Sequence, residues 1–178
     1  MLKIIAIGII AVIAAIMIYA TTRPDTFRVQ RSTLIKASPE RILAEINDFH
    51  RWAAWSPWEK KDPKMKRIYS GPASGIGTKY GWDGNKDIGS GSMEIIGSTT
   101  QKTSIKLDFF KPFEAHNTAE FTVMPKGDSS EITWSMDGPV PYFGKIIHLF
   151  FNMDKMVGGD FETGLANLKT ISEKPAAK

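Results

Sequence analysis

The chain has 178 residues, 42% hydrophobic and 24% charged, which suits one folded domain with an appendage and excludes wholesale disorder. It carries no cysteine, so disulfides, thiolate metal sites and a cysteine nucleophile are excluded. The formal charge of +4 is modest and no nucleic-acid motif accompanies it, so the anionic surface it suits is a membrane rather than a nucleic acid.

The amino terminus stands apart. Ile4 to Ala20 is an unbroken apolar run between Lys3 and Arg23-Pro24-Asp25. As a helix, Ile4 to Thr22 would span roughly 28 Å, close to the hydrocarbon thickness of a bilayer. Residues 1–22 are therefore predicted to be a single-pass transmembrane anchor, with 23–26 as a linker. Met-Leu-Lys also suits the start of a cleaved signal, but the run is long for one and Ile18-Tyr19-Ala20 is a poor cleavage site. Two features oppose each other on sidedness. Arg23, Arg28, Arg31 and Lys36 would hold the domain in the cytoplasm. The short Lys-bearing start instead resembles a signal anchor that exports the domain behind it, and the balance leans to the extracytoplasmic side.

Phe27 to Lys36 reads as a strand from its β-branched and aromatic residues. Ser38-Pro39-Glu40-Arg41 is a helix start, with Ser38 as N-cap and Ile42, Leu43 and Ile46 on one face. Phe49 to Trp55 is expected to add a helical turn that Ser56-Pro57 stops. Strands are then predicted at 66–70, 77–83, 92–96, 103–109, 115–124 and 131–137. Ile105, Leu107 and Phe109 alternate with Lys106 and Asp108, and Ile132, Trp134 and Met136 with Thr133 and Ser135. One face of an antiparallel sheet is thus buried and the other wet.

After Pro141 the period becomes helical: Ile146, Phe150, Met153, Val157, Phe161, Leu165, Leu168 and Ile171 predict one long amphipathic helix on the sheet. Gly158-Gly159 is expected to interrupt it, as a kink, a break, or room for something bulky beneath. Residues 174–178 read as a flexible tail.

Four of the five tryptophans, Trp52, Trp55, Trp58 and Trp82, fall in one stretch with Tyr69 and Tyr80. Such side chains favour cores, interfaces and pockets. Strand, short helices, antiparallel strands and a long final helix is the element order of the helix-grip fold, an α+β architecture in which a curved antiparallel sheet wraps around the C-terminal helix. Asn47-Asp48-Phe49, Trp52, Trp55-Ser56-Pro57-Trp58, Tyr69-Ser70-Gly71, Gly77-Thr78, Tyr80-Gly81-Trp82 and Trp134-Ser135-Met136 resemble the SRPBCC superfamily, which includes START lipid-transfer domains and the birch pollen allergen. Within it the chain most resembles bacterial membrane-anchored proteins of the polyketide cyclase/dehydrase-like group. The resemblance covers roughly residues 27–172, and 27–173 is taken as the domain.

That resemblance implies a deep apolar cavity for a hydrophobic ligand, such as a lipid or a polyketide- or isoprenoid-like molecule, and no cofactor. Candidate lining residues are Trp52, Trp55, Trp58, Tyr80, Trp82, Met93, Phe109, Phe121, Trp134, Phe150, Met153, Met156 and Phe161. The same side chains also suit a filled core. Two alternatives stay open: a cyclase or dehydratase acting on a hydrophobic ketone, and an interaction module docking through the tryptophan segment.

Catalytic chemistry finds little purchase. Strand parity turns Asp83, Glu94 and Asp137 away from Trp82, Met93 and Met136, and so into water. His50, His116 and His148 lack metal-ligand spacing, and no serine sits in a nucleophile elbow. Lys60 to Arg67 reads as a solvated basic loop.

Overall fold

Strands in which apolar and polar side chains alternate cannot bury both faces, and here they join edge to edge into one sheet. The computed structural model describes residues 1–174. Its elements are α1 (Leu2–Thr21), β1 (Thr26–Ile35), α2 (Pro39–Ile46), a 3-10 helix (Phe49–Ala54), α3 (Pro57–Lys61), β2 (Lys66–Ser70), β3 (Lys79–Asp83), β4 (Ser90–Ser98), β5 (Lys102–Lys111), β6 (Ala115–Lys126), β7 (Ser129–Pro139), α4 (Tyr142–Phe150) and α5 (Met153–Ser172). The seven strands run β1-β7-β6-β5-β4-β3-β2. Every neighbouring pair is antiparallel. Register shifts in β4 at Ser90/Gly91 and Ile95/Gly97 bend the sheet. Val29, Ile95, Ile105, Phe121, Val123, Ile132 and Trp134 line its buried face. This is the helix-grip architecture expected.

The connection from β1 to β2 carries the side chains that cover that face. Ser38 caps α2 by accepting from the Arg41 amide at 3.4 Å, Pro39 opens it, and Ile42, Leu43 and Ile46 are buried. Asp48 caps the next turn by accepting from the His50 amide at 2.9 Å. That turn is 3-10, with three residues per turn, so Phe49 and Trp52 fall on one face and both go inward. Ser56-Pro57 does not merely stop it, because Pro57 begins α3.

The final helix differs from expectation. The chain breaks at Phe151, which is extended, and Asn152 starts a new helix by accepting from the Lys155 amide at 3.0 Å. The apolar period runs through the break and masks it. Gly158-Gly159 does not interrupt anything: α5 passes through both. The Arg31 guanidinium lies against Gly158 where a side chain would collide with it, while Gly159 faces open space. The bulky object beneath the helix is therefore an arginine.

α1 is almost wholly exposed, Ala20 being its one buried residue. Its last turn packs on α4, where the Tyr142 hydroxyl donates to the Met17 carbonyl at 2.9 Å. Of the expected tail 174–178, all but Lys174 lie outside the described residues.

Candidate ligand-binding site

The middle of the space between sheet and α5 is filled by rings. Trp55, Phe121 and Phe161 are fully buried, and Trp52 and Trp134 nearly so. Trp134 stacks on Phe161 with centroids 4.1 Å apart, Phe121 lies 4.8 Å from Trp134, and Trp52 lies 4.7 Å from Trp55. Gly164 lets the Trp134 ring approach the α5 backbone. Trp58 is half-buried and meets Trp134 edge-on at 5.7 Å. The Trp52 and Trp55 indoles donate to the Ile46 and Glu45 carbonyls at 2.9 and 3.2 Å, whereas Trp134 Nε1 is buried without a partner. Docking of a protein through an exposed tryptophan segment is thus corrected: Trp52 and Trp55 are spent on the core because the 3-10 turn aims them there.

Cover thins toward one end. The strand register puts Thr26 beside Pro139, Phe109 beside Ala115 and Ser90 beside Asp83, so these mark the end where α1 joins. Here α5 lies along β1 and α3 rather than across β3 to β5. Trp82, Phe109, Phe27 and Val157 sit on or over the inner face yet stay half-buried, and Met153 is half-buried at the start of α5. Trp82 meets Phe109 edge-on at 5.7 Å. Behind Trp82 and Phe109, Tyr80, Met93, Leu107 and Asn117 form the next row and Met136 lies one row further in beside Ala119, each of the five buried with 5–8% of its surface still open. Gly138 leaves space for the Asn117 amide, the polar group of that row besides Tyr80. Phe150 and Met156 are exposed and turn away from this cleft.

One polar cluster sits under the inner face. The buried Glu59 carboxylate accepts from the Tyr80 hydroxyl at 2.7 Å and from Arg67 Nε at 2.8 Å. Burial first, and then the hydrogen bond to Glu59, push the Tyr80 phenol far above its ordinary value. The hydrogen bond to Glu59 likewise holds Arg67 protonated. Tyr80 was among the expected residues, but Glu59 and Arg67 were not. Arg67 belongs to the run read as a solvated loop, in which Met65 is also buried and Lys61 pairs with Asp160 at 2.7 Å.

Parity holds for the three carboxylates. Asp83, Glu94 and Asp137 face outward, paired with Lys111, Lys79 and Arg28 at 3.7, 3.4 and 3.2 Å. On the same outer face His116 Nδ1 and Lys106 Nζ each lie 2.7 Å from Asp108. An outer concavity of about 510 Å³ runs over β2 to β5 past Ile68, Gly81, Asp108 and Phe110. His50 stacks on Tyr69 at 4.0 Å, and His148 meets Phe27 edge-on. Among the described residues, no group of three or more His, Asp or Glu is placed to hold a metal ion.

The profile of a family described as polyketide cyclase / dehydrase and lipid transport matches residues 26–173. The chain belongs to that family. With it comes the SRPBCC superfamily that the local motifs resemble. Protein CV1439 from Chromobacterium violaceum superposes with a TM-score of 0.58 at 14% identity, over 85% of this chain and 99% of that one. The major latex-like protein 151 from Panax ginseng gives 0.57 at 12%, over 85% and 100%. The di-domain ARO/CYC StfQ of the steffimycin biosynthetic pathway gives 0.61 at 9%, over 83% of this chain and 51% of that one. Identities this low carry the fold alone. A search of curated proteins finds no match.

Proposed function

We propose that this is a membrane-anchored protein whose helix-grip domain binds a hydrophobic molecule, a lipid or a polyketide- or isoprenoid-like compound, at the thinly covered end of its inner sheet face. The observation that carries this reading is the half-buried group of Trp82, Phe109 and Phe27, backed by Met93, Leu107 and Met136. Apolar side chains on the covered face of a sheet keep such exposure only where the covering layer is incomplete. Asn117 supplies one polar group for orientation. Burying about 300 Å² of ligand there gives roughly 7 kcal/mol gross at about 25 cal/mol per Å². A micromolar complex needs about 8 kcal/mol net, so after association costs burial of this size alone gives affinity weaker than micromolar. The family's lipid-transport members support the same ligand class.

Support for the anchor is the length and apolarity of α1, 20 residues with mean hydropathy 2.7, which at 1.5 Å per residue is about 30 Å. Its packing on α4 favours retention over cleavage, since removal would strip Met17 and Ala20 from the domain. The boundaries proposed are anchor 1–22, linker 23–26 and domain 27–173.

Extraction of the full chain in mild detergent, followed by denaturing mass spectrometry, tests the binding role. Co-purifying amphiphile is expected, with uptake of a fluorescent fatty acid that falls on Phe109→Asp. Absence of both refutes it. A cyclase or dehydratase reading rests on Tyr80, an inward hydroxyl held by a carboxylate. It requires turnover of a ketone substrate that Tyr80→Phe abolishes while leaving its binding intact.

A further inference from the structure

The exposed aromatic side chains of this protein are not scattered. Among the described residues, Tyr19, Phe110, Phe113, Tyr142, Phe143, Phe150 and Phe151 are the exposed ones, and all lie at the end of the domain where α1 joins. Phe110, near the end of β5 on its outer face, and Phe113, in the connection to β6, flank the tip that the register places at the same sheet end as Thr26 and Pro139. The others belong to α1, α4 and the link to α5. The far end exposes the aliphatic residues Leu34, Ile76, Ile96 and Met124, with no exposed Phe, Tyr or Trp among them.

Besides the Tyr142 hydroxyl, α4 has two polar side chains, and both are turned away from solvent. Lys145 is buried and places its ammonium 2.5 Å from Asp25, whose carboxylate lies in the linker after α1. His148 is half-buried against Phe27, and burial keeps its imidazole toward the neutral form. What remains outward is Phe143 and Phe150, 65% and 68% exposed, flanked by half-buried Ile146, Ile147 and Leu149. A nine-residue helix with its charge compensated inward and its aromatic residues unpartnered is costly in water. It packs on the last turn of α1.

We propose that α4 is an interfacial helix that lies on the lipid bilayer crossed by α1, with the Phe110–Phe113 tip as a second point of contact, so that the domain stands with this end on the membrane. This posture rests on α1 being a retained membrane anchor. Its occupant is a lipid surface because the neighbouring element is itself the bilayer-length helix, and because the tethering linker is too short to lift the domain away. Three residues, Arg23, Pro24 and Asp25, separate α1 and Thr22 from β1. Phenylalanine rings and the Tyr19 and Tyr142 hydroxyls suit the boundary between acyl chains and headgroups. In this posture the open end of the inner face meets lipid rather than water.

The native chain lacks cysteine, so single nitroxide labels report cleanly. Full-length Phe143→Cys, Phe150→Cys and Phe113→Cys, labelled and reconstituted into vesicles of phosphatidylethanolamine and phosphatidylglycerol, are compared with Met124→Cys at the far end and Ile10→Cys within α1. The ratio of collisions with oxygen to those with a water-soluble nickel chelate is expected to be several-fold higher at positions 143, 150 and 113 than at 124, and highest at 10. Aqueous ratios at 143, 150 and 113 with a hydrocarbon ratio at 10 overturn the docking while leaving the anchor. An aqueous ratio at 10 as well overturns both. Dipolar broadening between labels at 150, with low access to both quenchers, assigns the face to a second copy of the chain and also overturns the proposal.

Discussion

The Arg31 guanidinium occupies the place that a side chain at Gly158 would need. It is held there by Glu162 at 2.6 Å and Asp154 at 2.9 Å, which joins the edge strand β1 to α5. Gly159, one residue on, meets nothing. The two glycines should therefore respond oppositely to alanine. Gly159→Ala is expected to stabilise by about 1 kcal/mol through helix propensity, and Gly158→Ala to give no gain or a loss. In an Arg31→Ala background Gly158→Ala should become stabilising, a coupling that urea denaturation of the four variants measures directly. Equal behaviour of the two glycines would dismiss the arginine as the reason for Gly158.

The buried indole of Trp134 donates to nothing, while that of Trp52 donates to Ile46. Replacing either by Phe removes similar volume from one aromatic cluster. Trp134→Phe is expected to cost about 1 kcal/mol less than Trp52→Phe, because only the second leaves a broken hydrogen bond. Thermal melts of the two variants decide it.

Tyr80→Phe leaves one Glu59 oxygen buried without its donor. A loss of about 1–3 kcal/mol is expected in chemical denaturation. In the native protein the Tyr80 phenol should not ionise with the other tyrosines in an ultraviolet pH titration, since burial and Glu59 both oppose the phenolate. Ionisation in the ordinary tyrosine range would contradict the described cluster.

On the outer face, the hydrogen bond to Asp108 raises the His116 pKa above 6.5, with Glu114 adding and Lys106 opposing. Burial works to raise Asp108, but hydrogen bonds from Lys106 and His116 outweigh it and hold the carboxyl below 3.8. A raised histidine contributes stability that is full below 6.5 and fades as pH climbs through its folded value. A depressed aspartate contributes above 3.8 and fades as pH falls through its folded value. The pair therefore supports the fold most fully between those two limits. A proton NMR titration should find His116 above an ordinary histidine, and Asp108→Asn should return it. No movement in that variant would remove Asp108 as the cause.

Much of this fold was legible because its signals are local. Ser38-Pro39 marks a helix start, and Ile105-Lys106-Leu107-Asp108 marks a half-buried strand, whatever surrounds them. The split between α4 and α5 was hidden because Phe150, Met153 and Val157 keep helical spacing across Asn152. The inward direction of Trp52 and Trp55 was expected, and their spacing of three places them there because the turn is a 3-10 helix. Glu59 could not be found from sequence. Its burial depends on Tyr80 and Arg67 arriving from two strands, a long-range arrangement that no local pattern encodes. The candidate site is mixed for the same reason: parity places Trp82, Met93 and Phe109 on the inner face, but which of them the helices leave uncovered is decided by how α5 lies along β1.

Photolysis of the full chain in vesicles containing a diazirine-bearing fatty acid, with peptide mapping of the adducts, tests the binding role at residue level. Adducts on Trp82, Phe109 or Met153, in addition to those on α1, are predicted. Adducts confined to α1 and the outward side of α4, with the inner face unlabelled, would contradict it.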